Sequence, residues 1–484
     1  MAPGGLVRSS HCAQSGGMDR RISARRLGEL LDDRGAGRPA YQWLADGVRQ
    51  LVADGRLLHD TRLPSERELV GELGVSRTTV TRAYGVLRDR GFASARQGSG
   101  TVVQVPGGPV AGGGEPLPTG PVQPIDVDAI DLTCSAPPAA PGLASAYARA
   151  VERMPSFVAG AGYFPLGISE LREAIADRFV ARGVPTDPDQ VIVTTGALAA
   201  LAAVFRAVLR RGDPVVVESP TYPNALSTLQ HAGARVVGAP LIPADRDEVT
   251  AVHRRVGARM MLAMPDFHNP TGLVWSESDR DRVARVWREA GAIGLVDETM
   301  SETWLDAEPD VRPMAAHAPD CVTVGSASKT LWGGLRIGWI RAPHALIGAI
   351  ARARTSLDLG APVLEQLVVA DQLERGGGLS AESRRRLIAA RAALLRLGER
   401  CPGWEVDTPS GGLNLWWRLP QPRSTALVAV AERHGVLLAP GSLFAVDGAG
   451  LEARVRTPYA VDELVAAEAV DRIAAAWAQV SSAQ

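Results

Sequence analysis

Lysine is almost absent from this chain: of its 52 basic side chains, 51 are arginine and one, Lys329, is lysine. A coding bias toward arginine would remove lysine wherever an always-charged planar head can replace it. The same bias would spare a site that needs a primary amine with a movable pKa. Lys329 is therefore either a chance survivor or a candidate for covalent chemistry. Cysteine is nearly as scarce. Cys12, Cys134, Cys321 and Cys401 form no CxxC pair and no Cys/His spacing of a zinc site, so neither a disulfide framework nor a structural metal is expected. No apolar run approaches the roughly 18 residues that span a bilayer, and no hydrophobic signal core opens the chain. A cytoplasmic protein is the expectation. There is no internal repeat.

Against these absences, 46% of the 484 residues are apolar and the formal charge is -1, which excludes a disordered or fibrous chain. At about 100–200 residues per domain this length predicts two or three domains. Charge is unevenly spread. Residues 20–105 hold 15 arginines against 10 acidic side chains, so the rest of the chain is net acidic. An electropositive segment of this size is either a solvated surface or a module that meets phosphates. Residues 1–21 are expected to be a disordered tail. Residues 106–124, PGGPVAGGGEPLPTGPVQP, cannot support a helix or bury apolar area and are expected to be a linker. This leaves a small module at 22–105 and a large domain at 125–484.

The small module reads as helix, turn, helix, hairpin. Ser65 and Glu68 form an S-x-x-E capping box, and the helix they start runs through Leu69, Val70 and Leu73 to Gly74. Ser76 caps a second helix that places Val80, Ala83, Tyr84 and Leu87 on one face. Thr78, Thr81, Arg82 and Gly85 lie on the other, with Arg77 at the N-terminal edge. A small, polar, basic face suits a major groove, because the backbone can approach closely and arginine can bond guanine bidentately. SARQGSGTVV then makes a tight hairpin carrying Arg96. A helical oligomerisation domain is the alternative. The stretch LPSERELVGELGVSRTTVTRAYGVLRDRGF with its Gly-rich hairpin closely resembles the winged helix-turn-helix of the GntR family of bacterial transcription regulators, over about residues 41–105. That resemblance implies double-stranded DNA as partner, contacts from Arg67, Arg77, Thr78, Thr81 and Arg82, and Gly98 at the wing tip. Thr81, with Arg82 beside it, stands where several members of that family place an arginine, so no base preference carries over.

In the large domain, the runs VIVTT, PVVVES, MMLAMP, AIGLVDE and CVTVGS alternate with amphipathic helical stretches, predicting an α/β fold with a mainly parallel sheet. Thr195-Gly196-Ala197, between a strand and an Ala/Leu-rich helix, is either a simple turn or a phosphate cup. Asp297 ends a strand-like run, and Ser326-Ala327-Ser328-Lys329 is followed seven residues later by Arg336. An amine, a phosphate cup, an acid for a ring nitrogen and a stacking aromatic are together the requirements of pyridoxal 5'-phosphate. The order Gly196, Tyr222, Asn269, Asp297, Lys329, Arg336 resembles the fold type I aminotransferases. The likeness rests on GYFPLGISELREAI, TTGALAAL, ESPTYPNA, HNPTG, DE and SASKTLWGGLRIGW.

By that likeness Lys329 would form the internal aldimine, Asp297 would pair with the ring nitrogen, Tyr222 would stack on the ring and Asn269 would bond its hydroxyl. Gly196, Ala197, Ser326 and Arg336 would hold the phosphate, joined by Tyr163 of a partner subunit in a homodimer. Arg456 of RVRTPY, with Arg454 as the alternative, would bind a substrate carboxylate. Two positions depart from the pattern: Met300 stands where many aminotransferases carry a tyrosine, and Leu198 where a polar residue is frequent. Both lower the expected turnover. A winged helix joined by a linker to such a domain, with a small C-terminal α+β subdomain, resembles the MocR subfamily of GntR-type regulators over essentially residues 22–478. The resemblance implies a regulator that senses pyridoxal phosphate or an amino compound. An active aminotransferase with a DNA-binding appendage is the alternative, and a DNA-binding protein with an inert large domain is a third.

Overall fold

The computed structural model describes residues 21–32, 34, 37–96, 100–106, 129–241, 251–252, 254–446 and 450–482. The expected tail apart from Arg21, the expected linker apart from Pro106, and Gly98 lie outside the described residues. The chain divides into two compact units, 1–111 and 112–484.

In the first unit, helices Ala24–Leu30, Ala40–Ala53, Glu66–Leu73 and Arg77–Asp89 precede an antiparallel hairpin of β1 (Ala93–Arg96) and β2 (Gly100–Val103). The two central helices start and stop where local chemistry dictates. Ser65 and Glu68 close a reciprocal capping box, Gly74 ends the helix at φ 62°, and the Ser76 side chain accepts from the Thr79 amide. Val80, Ala83, Tyr84 and Leu87 turn inward and join Leu44, Val48, Leu51 and Leu69 in one core. Each of the valine and leucine side chains, fully buried, contributes about 1.5–3 kcal/mol. The Tyr84 hydroxyl reaches the Pro64 carbonyl at 2.6 Å, so the one polar atom on this face is satisfied.

The second unit carries β3 (Ile130–Asp131), β4 (Val191–Thr194), β5 (Pro214–Ser219), β6 (Arg235–Pro240), β7 (Met260–Ala263), β8 (Ile293–Asp297), β9 (Val322–Ser326) and β10 (Gly338–Arg341). Seven of them form one sheet in the order β4-β10-β9-β8-β7-β5-β6. Strands β5 to β9 pair in parallel, and β10 is antiparallel to both its neighbours. Each of the five runs expected to be strands is one. Helices cover both faces, and β8 shows why small residues are needed there: a Cβ on Gly294 would come within 2.1 Å of the Trp287 ring, so only glycine lets that buried indole lie on the sheet. A smaller subdomain is built on β11 (Asn414–Arg418), β12 (Val436–Leu437), β13 (Ala439–Pro440) and β14 (Arg454–Pro458). Here β11, β14 and β13 form an antiparallel sheet, β12 pairs in parallel with β3, and helices Ala381–Leu395 and Glu463–Ser482 pack in the same core.

Candidate cofactor and DNA-binding sites

In open α/β sheets, ligands bind outside the carboxyl ends of the strands. The residues singled out in the sequence gather at that edge. Gly196 follows β4, Tyr222 follows β5, Asn269 follows β7, Asp297 ends β8, Ser326 ends β9 with Lys329 three residues on, and Arg336 precedes β10.

The Gly196 end is shaped as a cradle. Gly196, at φ 102°, is the N-cap of helix Ala197–Val208, so the free amides of that helix face outward from its first turn. A Cβ on Gly196 would lie 2.5 Å from Arg336 Nη2, and a Cβ on Gly338 would lie 2.5 Å from the Gly196 carbonyl carbon. Arg336, itself at φ 52°, donates from Nη2 to the Thr195 carbonyl at 3.1 Å. The Ser326 hydroxyl accepts from the Ser328 amide at 3.1 Å and donates to the Ile337 carbonyl at 3.3 Å, which ties the SASK turn to the start of β10. A helix N-terminus beside a guanidinium and two hydroxyls is an anion site.

Asp297 is buried, and burial pushes its carboxyl above the usual range, opposed by hydrogen bonds from Thr299 and by the charge of Lys329. A buried carboxylate of this kind is stabilised by a cationic or N–H partner. Lys329, half-buried, donates from Nζ to the Ser135 carbonyl at 3.0 Å. Tyr222, half-buried, accepts from Asn224 at 3.0 Å. Asn269 Oδ1 takes two bonds, from Asn414 Nδ2 at 3.3 Å and Arg456 Nη1 at 3.1 Å. Arg456 is the residue drawn into this cluster: it is 1% exposed, lies over the Phe444 ring at 4.8 Å and donates to the Thr133 carbonyl. Arg454, two residues earlier, is half-buried and sits beside Arg418 at the end of the strand pair. Tyr163 is not gathered with the others; it is 67% exposed. Met300 is buried, with no hydroxyl to offer a ring.

Several polar residues behind and above the site are not marked by any local pattern in the sequence. Ser135 donates to Asn414; Thr133 and Ser135 lie outside any helix or strand, and Asn414 opens β11 in the separate subdomain. Glu218 and His268 lie inside the stretches ESPTYPNA and HNPTG. Their side chains approach to 3.7 Å, both about 1% exposed. They are a neutral pair rather than an ion pair: burial pushes the Glu218 carboxyl up to about 8 and the His268 imidazole down to about 3. Ion pairs flank them, the buried Asp266 with the wholly buried Arg280 at 2.6 Å and the buried Glu298 with the half-buried Arg182 at 3.0 Å.

On the head, Thr78, Thr81 and Arg82 are exposed on helix Arg77–Asp89, as are Arg67 and Arg77. Arg77 Nε donates to Glu66 at 3.1 Å while its side chain stays 82% exposed. Thr81 turns its hydroxyl back to the Arg77 carbonyl at 3.0 Å. The Arg82 guanidinium lies 3.8 Å over the Tyr41 ring, a cation–π contact that fixes its direction.

Fold and site together define a winged-helix head joined to a domain of the fold type I aminotransferase kind. Residues 128–473 match the model of aminotransferase class I and II, and residues 40–103 match that of bacterial regulatory proteins, gntR family. The chain belongs to the aminotransferase class I and II family and, with its gntR-type head, to the MocR subfamily of transcription regulators. It is 30% identical to a Rhizobium meliloti protein described as probable rhizopine catabolism regulatory protein MocR, over 72% of this chain and 74% of that one. It is 28% identical to an uncharacterized HTH-type transcriptional regulator of Bacillus subtilis, YisV, over 84% of this chain and 90% of that one. Among solved structures it is similar to LysN, the α-aminoadipate aminotransferase of Thermus thermophilus, complexed with N-(5'-phosphopyridoxyl)-L-leucine. The TM-score is 0.65 and the identity 26%, over 73% of this chain and 93% of that one. Pyridoxal phosphate is the cofactor of this fold family, and the residues present fit it: the cradle at Gly196 that a Cβ would fill, the buried Asp297 and the single amine of Lys329. No helix among the described residues is long and apolar enough to cross a membrane.

Proposed function

We propose that this chain is a cytoplasmic regulator that binds an operator through its head and senses pyridoxal phosphate, or an amino compound reacting with it, through its large domain. The observation that carries this reading is the position of the sole lysine. Lys329 stands at the carboxyl edge of the sheet, its charge felt by the buried Asp297, on the turn that leads to Arg336 and the Gly196 cradle. In this reading Lys329 supplies the amine for the cofactor's aldehyde, and Asp297 accepts the ring N–H. Tyr222 covers the ring and Asn269 meets its hydroxyl. The amides of Gly196 and Ala197, with Ser326 and Arg336, hold the phosphate, and Arg456 takes a carboxylate. Bound there, the cofactor supplies an aldehyde that captures primary amines and a ring that withdraws electrons. Tyr163, exposed in one subunit, completes the phosphate site of a second copy in a homodimer. Arg67, Arg77, Thr78, Thr81, Arg82 and Gly98 contact DNA. The boundaries follow as a tail at 1–21, the head at 22–105, a linker at 106–124 and the sensor at 125–484.

Met300 separates this reading from that of an active aminotransferase, because a buried thioether cannot donate to a ring hydroxyl. Little or no turnover is expected. The test is borohydride reduction of protein incubated with pyridoxal phosphate, followed by peptide mapping. A yellow protein labelled at Lys329, with slow keto acid formation and cofactor-dependent operator binding, supports the regulator. A colourless protein, or a label elsewhere, overturns it. Rapid keto acid formation with operator binding indifferent to the cofactor favours the aminotransferase.

A further inference from the structure

Thr195, the residue before the Gly196 cradle, is gripped from two sides. Arg336 Nη2 donates to its carbonyl at 3.1 Å, and its hydroxyl donates to Asp358 Oδ2 at 3.1 Å. Asp358 lies far along the chain, just past helix His344–Arg354. Its other oxygen accepts from Arg354 Nη2 at 2.8 Å and from the Gly360 amide at 3.0 Å. Arg354 is 2% exposed and donates as well to the Pro165 carbonyl, two residues after Tyr163. A Cβ on Gly360 would come within 3.2 Å of the Phe164 carbonyl oxygen, so the turn is packed closely on that stretch. A carboxylate this near an anion site would repel a phosphate if it stood alone, the more so where water is excluded. It does not stand alone. The buried guanidinium of Arg354 balances its charge, and a buried guanidinium in turn needs such a partner.

We propose that Asp358, charge-balanced by Arg354, is a positioning residue of the phosphate cradle: through the Thr195 hydroxyl it fixes the direction of the Gly196 amide. The inference rests on the function proposed above and adds to it two residues outside the set that holds the cofactor. Gly196 has no Cβ to restrict its backbone, so the peptide that carries its amide is set by what binds residue 195. Arg336 cannot set it alone, because in the proposed reading that guanidinium is shared with the phosphate. Asp358 has no such second duty. Its bonds run to Thr195, Arg354 and Gly360, and they remain in place when a phosphate arrives.

Pyridoxal separates this role from a merely structural one, because it offers the same aldehyde without the phosphate. The experiment titrates the full chain with pyridoxal phosphate and with pyridoxal, read by absorbance. The proteins compared are the parent, Thr195→Val, Thr195→Ser, Asp358→Ala and the double variant of Thr195→Val with Asp358→Ala. Should Asp358→Ala unfold by stranding Arg354, Arg354→Met is added to it and to the double variant, so that the whole buried pair is replaced. Thr195→Val and Asp358→Ala are each expected to weaken pyridoxal phosphate about tenfold, the scale of one hydrogen bond to a charged group. Thr195→Ser, which keeps the hydroxyl, is expected to bind like the parent. The double variant is expected to be no weaker than either single one, since both remove the same contact, and pyridoxal affinity is expected to stay within about twofold throughout. Tighter pyridoxal phosphate binding by Asp358→Ala would show that the carboxylate only repels the phosphate, and overturns the proposal. So do losses that add in the double variant, which would mean that Thr195 meets the phosphate by itself. Unchanged affinities, a Thr195→Ser protein as weak as Thr195→Val, or equal losses for pyridoxal overturn it as well. A parent that develops no absorbance band with pyridoxal phosphate overturns the proposed function, and this role with it.

Discussion

Gly338→Ala is a wedge whose effect follows from the coordinates. Gly338 opens β10 opposite Thr194 of β4, and its own φ is ordinary, so alanine carries no backbone penalty there. The added Cβ, however, would lie 2.5 Å from the Gly196 carbonyl carbon, 2.7 Å from the Ala197 nitrogen and 2.9 Å from the Gly196 Cα. All three are backbone atoms of the cradle, so no flexible side chain can swing away. Restoring an ordinary carbon–carbon separation of about 3.5 Å needs the Gly196–Ala197 peptide to retreat by about 1 Å. Overpacking of this kind costs about 1–3 kcal/mol. An ångström is also enough to spoil hydrogen bonds to a phosphate, each worth about 1.5–3 kcal/mol. The expected outcome is a loss of pyridoxal phosphate affinity of about 10–100-fold, with a small fall in Tm. The assay is a spectroscopic titration of the parent, Gly338→Ala and Gly348→Ala. Gly348 lies on the exposed side of helix His344–Arg354, where a Cβ meets only the movable end of Arg352 at 3.5 Å, so that variant should bind like the parent and be slightly more stable. Parental affinity in a folded Gly338→Ala protein would refute the claim that these two amides hold the phosphate.

Glu218→Gln should flatten the pH dependence of stability. Because burial raises the Glu218 pKa to about 8, the parent loses stability as pH climbs from about 4.5 to 8, by up to about 1.4 kcal/mol per unit; urea titrations at pH 6 and 8 that give equal slopes for parent and variant would show that Glu218 is not buried protonated. His268 acts with the opposite sign: its pKa is depressed to about 3, so His268→Gln should lessen the stability lost as pH falls from 6.5 toward 3, read in the same titrations. Arg77→Ala should cost about 1–3 kcal/mol of operator discrimination with cofactor binding unchanged, measured by gel shift at one salt concentration. Asp266→Asn should destabilise the large unit by about 3–5 kcal/mol in thermal or urea unfolding, because it strands the wholly buried Arg280.

Much of this architecture is readable from residue order because the signals are local. The capping box at Ser65, the glycine stop at Gly74, the cap at Ser76 and the inward face of Val80, Ala83, Tyr84 and Leu87 all operate within one helical turn, and each stands where its chemistry puts it. The five strand-like runs are buried on both faces, so they lack alternation but announce themselves by β-branched content. The cofactor edge is legible for a related reason: in a parallel sheet every strand ends on the same side, so residues as far apart as Gly196 and Arg336 converge without any long-range signal of their own. β6 and β10 escape that logic. β6 is a half-buried edge, and β10 reads GWIR, too short and mixed to stand out. Ser135 and Asn414 escape it altogether, since they meet the site through a turn and a separate subdomain.

The two sides of the site are fastened in different ways, and this bears on how a sensor could move. Behind Asp297 and Asn269, the pairs Asp266–Arg280 and Glu298–Arg182 join the main sheet's loops to helices Glu277–Ala290 and Ser169–Ala181, and the neutral Glu218–His268 pair is wholly buried. Breaking any of them leaves a stranded polar group, so that wall is expected to stay rigid through ligand binding. The opposite wall, residues 133–135, is held in part by Lys329 and Arg456, the two cations that the proposed reading gives to the ligands. A ligand can shift an equilibrium only through contacts that differ between its states. The differential contacts here fall on the wall that leads in sequence toward the head. Met300 fits the same division in the proposed reading: Asn269 Oδ1 already takes two bonds, so its amide N–H would be the group left for a ring hydroxyl, and the buried Met300 would add no donor. In the proposed regulator, a rigid floor and an opposite wall that shares its cations with the ligand would suit registering a ligand better than consuming it.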